Sequence, residues 1–568
     1  MKVGQIVGET LKLYDMEYVF GLAGGDHPLL MGLRDAGIKF VLAHTERSGV
    51  AMADGYSRIT AKPSIAYGQW GPGAALCVSG LADAYWGQSP VICMTTSINS
   101  GGLYRYAYQG IEAQKSLFTP ITKWNAYVPN IARLPDIFRT AIRMAVSGVP
   151  GPVHIDIPQE LSRSIEQDLP DVQLYAEAEF MKSPACRIAP AIKDIEKIIE
   201  AIIQAKRPLI LAGGGVIASE AWDELVRFAE ILSIPVVTSS AGKASISTDH
   251  PLAVGGVGNY SRKVANDVAA KCDTYIVIGS NLGDHTTKSR QAPGPAAKLI
   301  HIDLNPGVLG TNYREEVSVV GDAKLTLKAM IEAVEASGIS KKACPWAAWL
   351  KEVQSMVTSW KAALQEMGKN SGIEGAINPY CVMAALNKVI SSDDVIVADT
   401  GYMAALSNTC IDVKTPGRKY IRASGSLGWG LPAALGAQYA IKDKARVICL
   451  TGDGGIGYHT ADIETAVRCN LPVVVLVMNN SSLAFTYHML KIGYKDPMPE
   501  ATDFLDIDYG AVARAFGAYG EKVGTADDVE GAMRRALDSG KPAIIDFTID
   551  KEIYAPVIFY EGFEQRQV

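Results

Sequence analysis

Short, nearly continuous apolar runs recur along the whole chain between stretches of helical periodicity: VICMTT, VHIDI, PLILAG, IPVVTSS, TYIVIGS, KLIHIDL, VIVADT, ARVICLTG, PVVVLVMNN and PAIIDFTID. A strand with one wet face alternates apolar and polar side chains, so runs without that alternation belong to strands covered on both faces. Helices on the two sides of a parallel sheet provide that cover, and the predicted class is α/β. At 568 residues the chain exceeds one ordinary core and has room for three to four domains of about 150 residues. Two polar stretches, near 164–190 and 338–376, break the rhythm and read as linkers. They leave three doubly wound blocks, 1–165, 190–337 and 377–560, of which the first and last share one strand–helix cadence without clear sequence identity.

Composition narrows the function. Hydrophobic residues make up 48% and charged residues 20%, enough apolar surface to bury a large core. The net charge of −6 comes from interspersed signs with no basic block, which argues against nucleic acid as partner. No stretch is long and apolar enough to span a bilayer, and MKVGQIVGETLKLY lacks a signal-peptide pattern. The nine cysteines are scattered and form no CxxC pair, and the eight histidines show no HExxH. A reducing, cytoplasmic setting and no zinc site are expected.

One pair of motifs carries chemistry. Strand ARVICLTG runs into Gly452-Asp453-Gly454, a helical stretch follows, and strand PVVVLVM ends in Asn479-Asn480. Neighbouring parallel strands joined by one right-handed crossover end at a common crevice, so Asp453 and Asn480 are expected to meet there. A hard cation such as Mg²⁺ takes a carboxylate, an amide oxygen, a main-chain carbonyl and phosphate oxygens in one octahedron. The glycines beside Asp453 let backbone approach the phosphates.

This arrangement resembles the diphosphate-anchoring motif of thiamine diphosphate (ThDP) enzymes. The resemblance implies ThDP and Mg²⁺ as cofactors, with Asp453, Asn480 and the Ser482 carbonyl as metal ligands and Gly452 and Gly454 against the diphosphate. It covers nearly the whole chain and implies pyrimidine-binding, central and diphosphate-binding domains in that order. IKFVLAHT followed by RSGVAMADGYSR is similar to the family's glutamate element, making Glu46 the group that activates the aminopyrimidine. A threonine stands where the family usually has histidine, with His44 one place earlier. SGSLGWGLPAALGAQ resembles the loop that bends the cofactor, with Leu427 as its wedge, and VIVADTGY resembles the segment that puts Gly401 beside the cofactor.

GPGAALCVSGLADAYWGQSPVICMT is similar to acetolactate synthases, whereas YQGIEAQKSLFTPITKW and the stretch around the two motifs look closer to benzaldehyde lyase and the 2-hydroxyacyl-CoA lyases. The implied reaction makes or breaks a carbon–carbon bond beside a carbonyl, on a 2-oxo acid or a 2-hydroxyketone. Gln109 takes the place of an active-site glutamine. Asp26 and His27, after FGLAGG, stand where family members line the substrate pocket, as a proton-shuttling pair or with Asp26 as a helix cap. Gln69 is a further lining candidate, and Leu427, Leu483 and Phe485 would make the pocket apolar. His488 is read as an exposed helical residue, with a side chain that reaches the pocket as the alternative. SSLAFTYHML departs from the acetolactate synthase pattern, which has a glycine there and a tryptophan further on.

In this family the diphosphate site and the glutamate come from different subunits, which implies a homodimer or homotetramer. LILAGGGVIASEAWDEL lacks full GxGxxG spacing, so a flavin- or nicotinamide-linked oxidoreductase is the rival class, and whether FAD is bound stays open. The tail IYAPVIFYEGFEQRQV reads as a lid or as packing against a neighbouring subunit.

Overall fold

A computed structural model describes residues 1–163, 173–338 and 345–556. Three six-stranded parallel sheets follow one another along the chain. The first contains β1 (Tyr18–Gly21), β2 (Lys39–Leu42), β3 (Ser64–Gly68), β4 (Val91–Ser97), β5 (Trp124–Tyr127) and β6 (Val153–Pro158), in the order β2-β1-β3-β4-β6-β5. The central sheet contains β7 (Pro208–Ala212), β8 (Val236–Thr238), β9 (Ala253–Gly256), β10 (Thr274–Ile278), β11 (Lys298–Asp303) and β12 (Val317–Val320), ordered β12-β11-β10-β7-β8-β9. A two-stranded hairpin, β13 (Gly372–Ile373) and β14 (Ala376–Ile377), leads into the third sheet. That sheet contains β15 (Val395–Ala398), β16 (Tyr420–Arg422), β17 (Val447–Gly452), β18 (Val474–Asn479), β19 (Tyr519–Val523) and β20 (Ala543–Thr548), ordered β16-β15-β17-β18-β20-β19.

The first and third sheets therefore share one winding order, the structural counterpart of their shared cadence in sequence. The central strands of every sheet are buried along their length, save Gly452 at the end of β17, as helices on both faces demand. All ten apolar runs fall on strands. Eight strands of the three sheets, β1, β2, β3, β5, β9, β12, β16 and β19, lie outside those runs: each has at most five residues, and most lie at or near a sheet edge.

The polar stretch 338–376, expected to be a linker, contains instead the helix Ala347–Lys369. Trp346, Trp349 and Val353 are buried in the core of the central domain, and Met356, Val357 and Trp360 pack against it. Apolar side chains three and four apart form a narrow stripe that the surrounding charges hide from a reading by composition. Residues 173–190 of the other stretch hold only a short 3₁₀ turn, Ala178–Phe180.

The first and third domains share a hydrophobic core. The helix Glu46–Thr60 lies across the helix Gly430–Ile441, and Val50, Met52, Ala433 and Leu435 belong to one buried cluster with Phe20 and Val475. Glycine makes the crossing close. A Cβ on Gly55 would lie 2.1 Å from the Ala433 carbonyl oxygen, and one on Gly436 1.9 Å from that of Met52.

Candidate active site

β17 and β18 pair with Gly452 opposite Met478, so both strands finish level at the same sheet edge. Asp453 there is 5% exposed and accepts the Ser482 amide at 2.9 Å. Burial raises its proton affinity to about 6, and its main charged neighbour is another carboxylate, Asp546. Among the described residues no cation pairs with it. Such a carboxylate suits a divalent cation, and Asn480 and Ser482 bring amide and carbonyl oxygens to the same turn. Asn479 turns the other way: its side-chain amide donates to the Ile507 carbonyl at 3.0 Å and its oxygen accepts the Ser481 amide.

Gly401 caps the helix Tyr402–Cys410 with φ +71°, and a Cβ there would meet nothing within 4 Å. That helix start opens on free space, as a phosphate-facing terminus requires. Leu427 and Leu483 gather over Gly454, where a Cβ would lie 3.8 and 3.0 Å from their side chains, with Phe504 at 3.4 Å. Phe485 packs on Tyr402 instead, at 6.3 Å between ring centres. His488, expected on the surface, is fully buried between Tyr402, Tyr487 and Tyr554, and burial lowers its pKa to about 4.

Asp399 ties the loops together. Its carboxylate accepts the Thr400 amide at 2.8 Å, the Gly428 amide at 3.1 Å and the Thr451 hydroxyl at 2.9 Å. One side chain thus joins the Gly401 turn, the Leu427 loop and the end of β17. The sequence reading passed over it, although an acid ending a strand beside GDG was a usable signal.

In the first domain Thr45 caps its helix by accepting the Ser48 amide at 3.0 Å, which places Glu46 in the first turn. Glu46 is 2% exposed, its carboxyl pKa is raised by burial, and no cation pairs with it among the described residues. Its Oε1 would lie 2.5 Å from a Cβ on Gly73, and the Gln69 side chain 2.9 Å from the same point. The Gln109 carbonyl closes on Gly71, where a Cβ would meet it at 1.8 Å. Glu46, Gln69 and the Gln109 loop therefore pack close together at the carboxyl ends of the first sheet.

Asp26 and His27 do not form a pair. Asp26 is fully buried and accepts three hydroxyls at 2.7 Å, from Tyr67, Thr96 and Ser162, without capping its helix, while His27 is exposed. His44 donates its backbone amide to Asp462 and its ring meets Glu464 at 2.9 Å, a bridge to the third domain.

The two halves meet within the chain, whereas the resemblance implies that they meet between subunits. Arg47, next to Glu46, donates to the Leu427 carbonyl at 2.6 Å and lies over Tyr458. Asp83 accepts the amides of Ser424 and Ser426, and the Trp429 indole donates to Asp54 at 2.9 Å. No sequence signal pointed to these contacts, because they join segments more than three hundred residues apart.

A separate cavity of about 800 Å³ lies between the domains. Its walls include Gly214, Gly215, Ser280 and Asp303 of the central domain and Arg418, Arg422 and Gly425 of the third.

Twin sheets of one winding order, a buried acid at one strand-end crevice and a carboxylate–amide turn at another define an α/β enzyme that works with a diphosphate cofactor. Comparison with known proteins gives the family. Residues 1–117 match the thiamine pyrophosphate enzyme N-terminal TPP binding domain, 195–330 the central domain and 399–547 the C-terminal TPP binding domain. The chain is 31% identical over 567 residues to the probable acetolactate synthase large subunit of Methanocaldococcus jannaschii, covering 98% of this chain and 93% of that protein. It is 27% identical to the acetolactate synthase large subunit of Haemophilus influenzae (96% and 94% covered) and 26% identical to acetolactate synthase isozyme 3 large subunit of Escherichia coli K12 (96% and 94%). The chain belongs to the thiamine pyrophosphate enzymes, in their acetolactate synthase group.

Proposed function

We propose that this enzyme is a ThDP- and Mg²⁺-dependent carboligase that decarboxylates a 2-oxo acid and joins the remaining fragment to a second carbonyl compound, as acetolactate synthases do. The observation that carries this reading is the buried, uncompensated Glu46 carboxyl, linked through Arg47 to the Leu427 loop beside Asp453. Asp453, Asn480 and the Ser482 carbonyl would hold the metal and diphosphate. Bound thiamine diphosphate supplies the electron sink for carbon–carbon cleavage. Glu46 holds a proton at its carboxyl oxygen more firmly than a surface glutamate, because burial disfavours its charge, and it trades that proton with the base placed against it. Leu427 and Leu483, with Phe504 at the exposed rim, put apolar surface beside Gly454, a setting that solvates a substrate carboxylate less well than water and favours CO₂ loss.

The exposed apolar side chains Leu76, Tyr85 and Trp86 of the helix Pro72–Trp86, Trp86 at 70% exposure, support a homodimer or homotetramer in which a second copy covers this face. The interdomain cavity favours a second reading beside the first, a bound nucleotide cofactor such as FAD. It is large enough for one, the glycine turn after β7 borders it, and Arg418 and Arg422 supply positive charge. A flavin absorbance band in purified protein checks this.

The test of the main reading offers pyruvate and benzoin separately to enzyme loaded with ThDP and Mg²⁺, beside Glu46→Gln. Acetolactate and CO₂ from pyruvate, lost in the variant, are the expected result. Benzaldehyde from benzoin without pyruvate turnover would move the enzyme to the lyase side. Failure to bind ThDP would overturn the cofactor assignment.

A further inference from the structure

We propose that Arg163 is the anion anchor of the substrate pocket, its guanidinium laid on Trp70 at the carboxyl end of the first sheet to take the carboxylate of the 2-oxo acid. The inference rests on the carboligase reading for the identity of that anion. Arg163 follows the short helix Gln159–Ser162 that leaves β6, and its guanidinium carbon stands 4.3 Å from the Trp70 ring centre. Gly25, in the turn after β1, makes room: a Cβ there would lie 2.3 Å from Arg163 Nη2 and 3.0 Å from Trp70 Cη2.

The chain of contacts is continuous. A Cβ on Gly24 would strike the Gln69 amide oxygen at 2.3 Å, and Gln69 in turn shares the space above Gly73 with Glu46. One wall thus runs from the Glu46 carboxyl past Gln69 to Trp70 and the Arg163 guanidinium.

The Nε side of the cation pairs with the protein, but its terminal nitrogens are not spent on it. Among the described residues its one carboxylate neighbour is Asp26, 3.6 Å from Nε, and Asp26 already accepts three hydroxyl hydrogens. Among the described residues the terminal nitrogens meet no acceptor, and the side chain is 40% exposed. A guanidinium resting on an indole keeps its in-plane N–H fork free for a carboxylate and is partly stripped of water on one face. Tyr67, Thr96 and Ser162 hold Asp26 in place, so it fixes the base of the arrangement without competing for the fork.

The experiment titrates pyruvate and uncharged butane-2,3-dione, by calorimetry, into ThDP- and Mg²⁺-loaded Glu46→Gln protein, with and without Arg163→Ala or Arg163→Lys. Expected is a tenfold or greater loss of pyruvate affinity in Arg163→Ala, a smaller loss in Arg163→Lys, and no change for the dione. Unchanged pyruvate affinity, or equal losses for both ligands, would overturn the anchor. CO₂ release from pyruvate by the wild-type holoenzyme is measured alongside. Turnover with unchanged affinity in Arg163→Ala refutes the anchor and leaves the carboligase. Arg163-dependent binding without CO₂ release from any 2-oxo acid supports the anion site and refutes the carboligase.

Discussion

Replacing Gly436 by alanine tests whether the crossing of the Glu46 and Gly430 helices sets the geometry of the active site. The new methyl carbon would stand 1.9 Å from the Met52 carbonyl oxygen and 2.7 Å from its carbon. Both obstacles are backbone, so no side chain can swing aside, and the helices must part by roughly 1–2 Å to reach van der Waals distance. Such overpacking costs about 1–3 kcal/mol, and the better helix propensity of alanine offsets about 1 kcal/mol of it. The net loss, about 0–2 kcal/mol, lowers Tm by up to roughly 8 °C at about 2–4 °C per kcal/mol. Because Glu46 opens the displaced helix, a shift of about 1 Å also lowers kcat/KM by up to ~100-fold. ThDP and Mg²⁺ affinity should change little, since Gly452–Gly454 and Asn480 lie outside the contact. Scanning fluorimetry, pyruvate kinetics and ThDP titration measure the three quantities. Gly524→Ala is the control, because its Cβ would meet nothing within 4 Å. A Gly436→Ala enzyme with the parent's Tm and kcat/KM would refute the reasoning.

Asp399→Ala leaves the Thr400 and Gly428 amides and the Thr451 hydroxyl without their acceptor, a loss of about 3–5 kcal/mol; a lower Tm and at least tenfold weaker ThDP binding by titration are expected, with Asp399→Asn between. Lys243 is buried, donates to the Asn408 carbonyl at 2.8 Å, and is pushed down to about 7 by burial and by Arg262, against the opposite pull of Asp412 and Cys410. The unfolded chain holds this proton to about pH 10.4. Unfolding therefore takes up a proton between pH 7 and that value, and the penalty on the folded state, full below pH 7, fades as pH rises. Lys243→Met should flatten that part of the rise of Tm with pH, and a Tm–pH slope identical to the parent's would count against the assignment.

The strands leading to Gly401 and Asp453 were legible because burial on both faces writes itself as uninterrupted apolar text, whereas β2, which leads to Glu46, is a partly exposed edge strand and was marked only by the motif that follows it. Short edge strands such as β5 and β19 keep partly exposed residues and lose that mark. The helix Ala347–Lys369 hid because only Trp349 and Val353 of its 23 residues are buried. Within the site, residue type misled where a neighbour's identity decides the outcome. Asp26 looked ionisable and available, but Tyr67 and Thr96, arriving from β3 and β4, consume its oxygens. His488 looked exposed because the aromatic rings that enclose it come from Tyr402 and Tyr554, distant in sequence.

The shared core of the first and third domains has a consequence during synthesis. The helix ending at Thr60 leaves the ribosome long before its partner, which begins at Gly430; at roughly 5–20 residues per second the wait is tens of seconds. Over that interval the glycine-lined, apolar side of the first domain faces water with nothing to cover it. Nascent chains are thus most vulnerable to aggregation and most attractive to chaperones after the first domain has folded, and a truncation that stops before Gly430 should remain in that condition permanently.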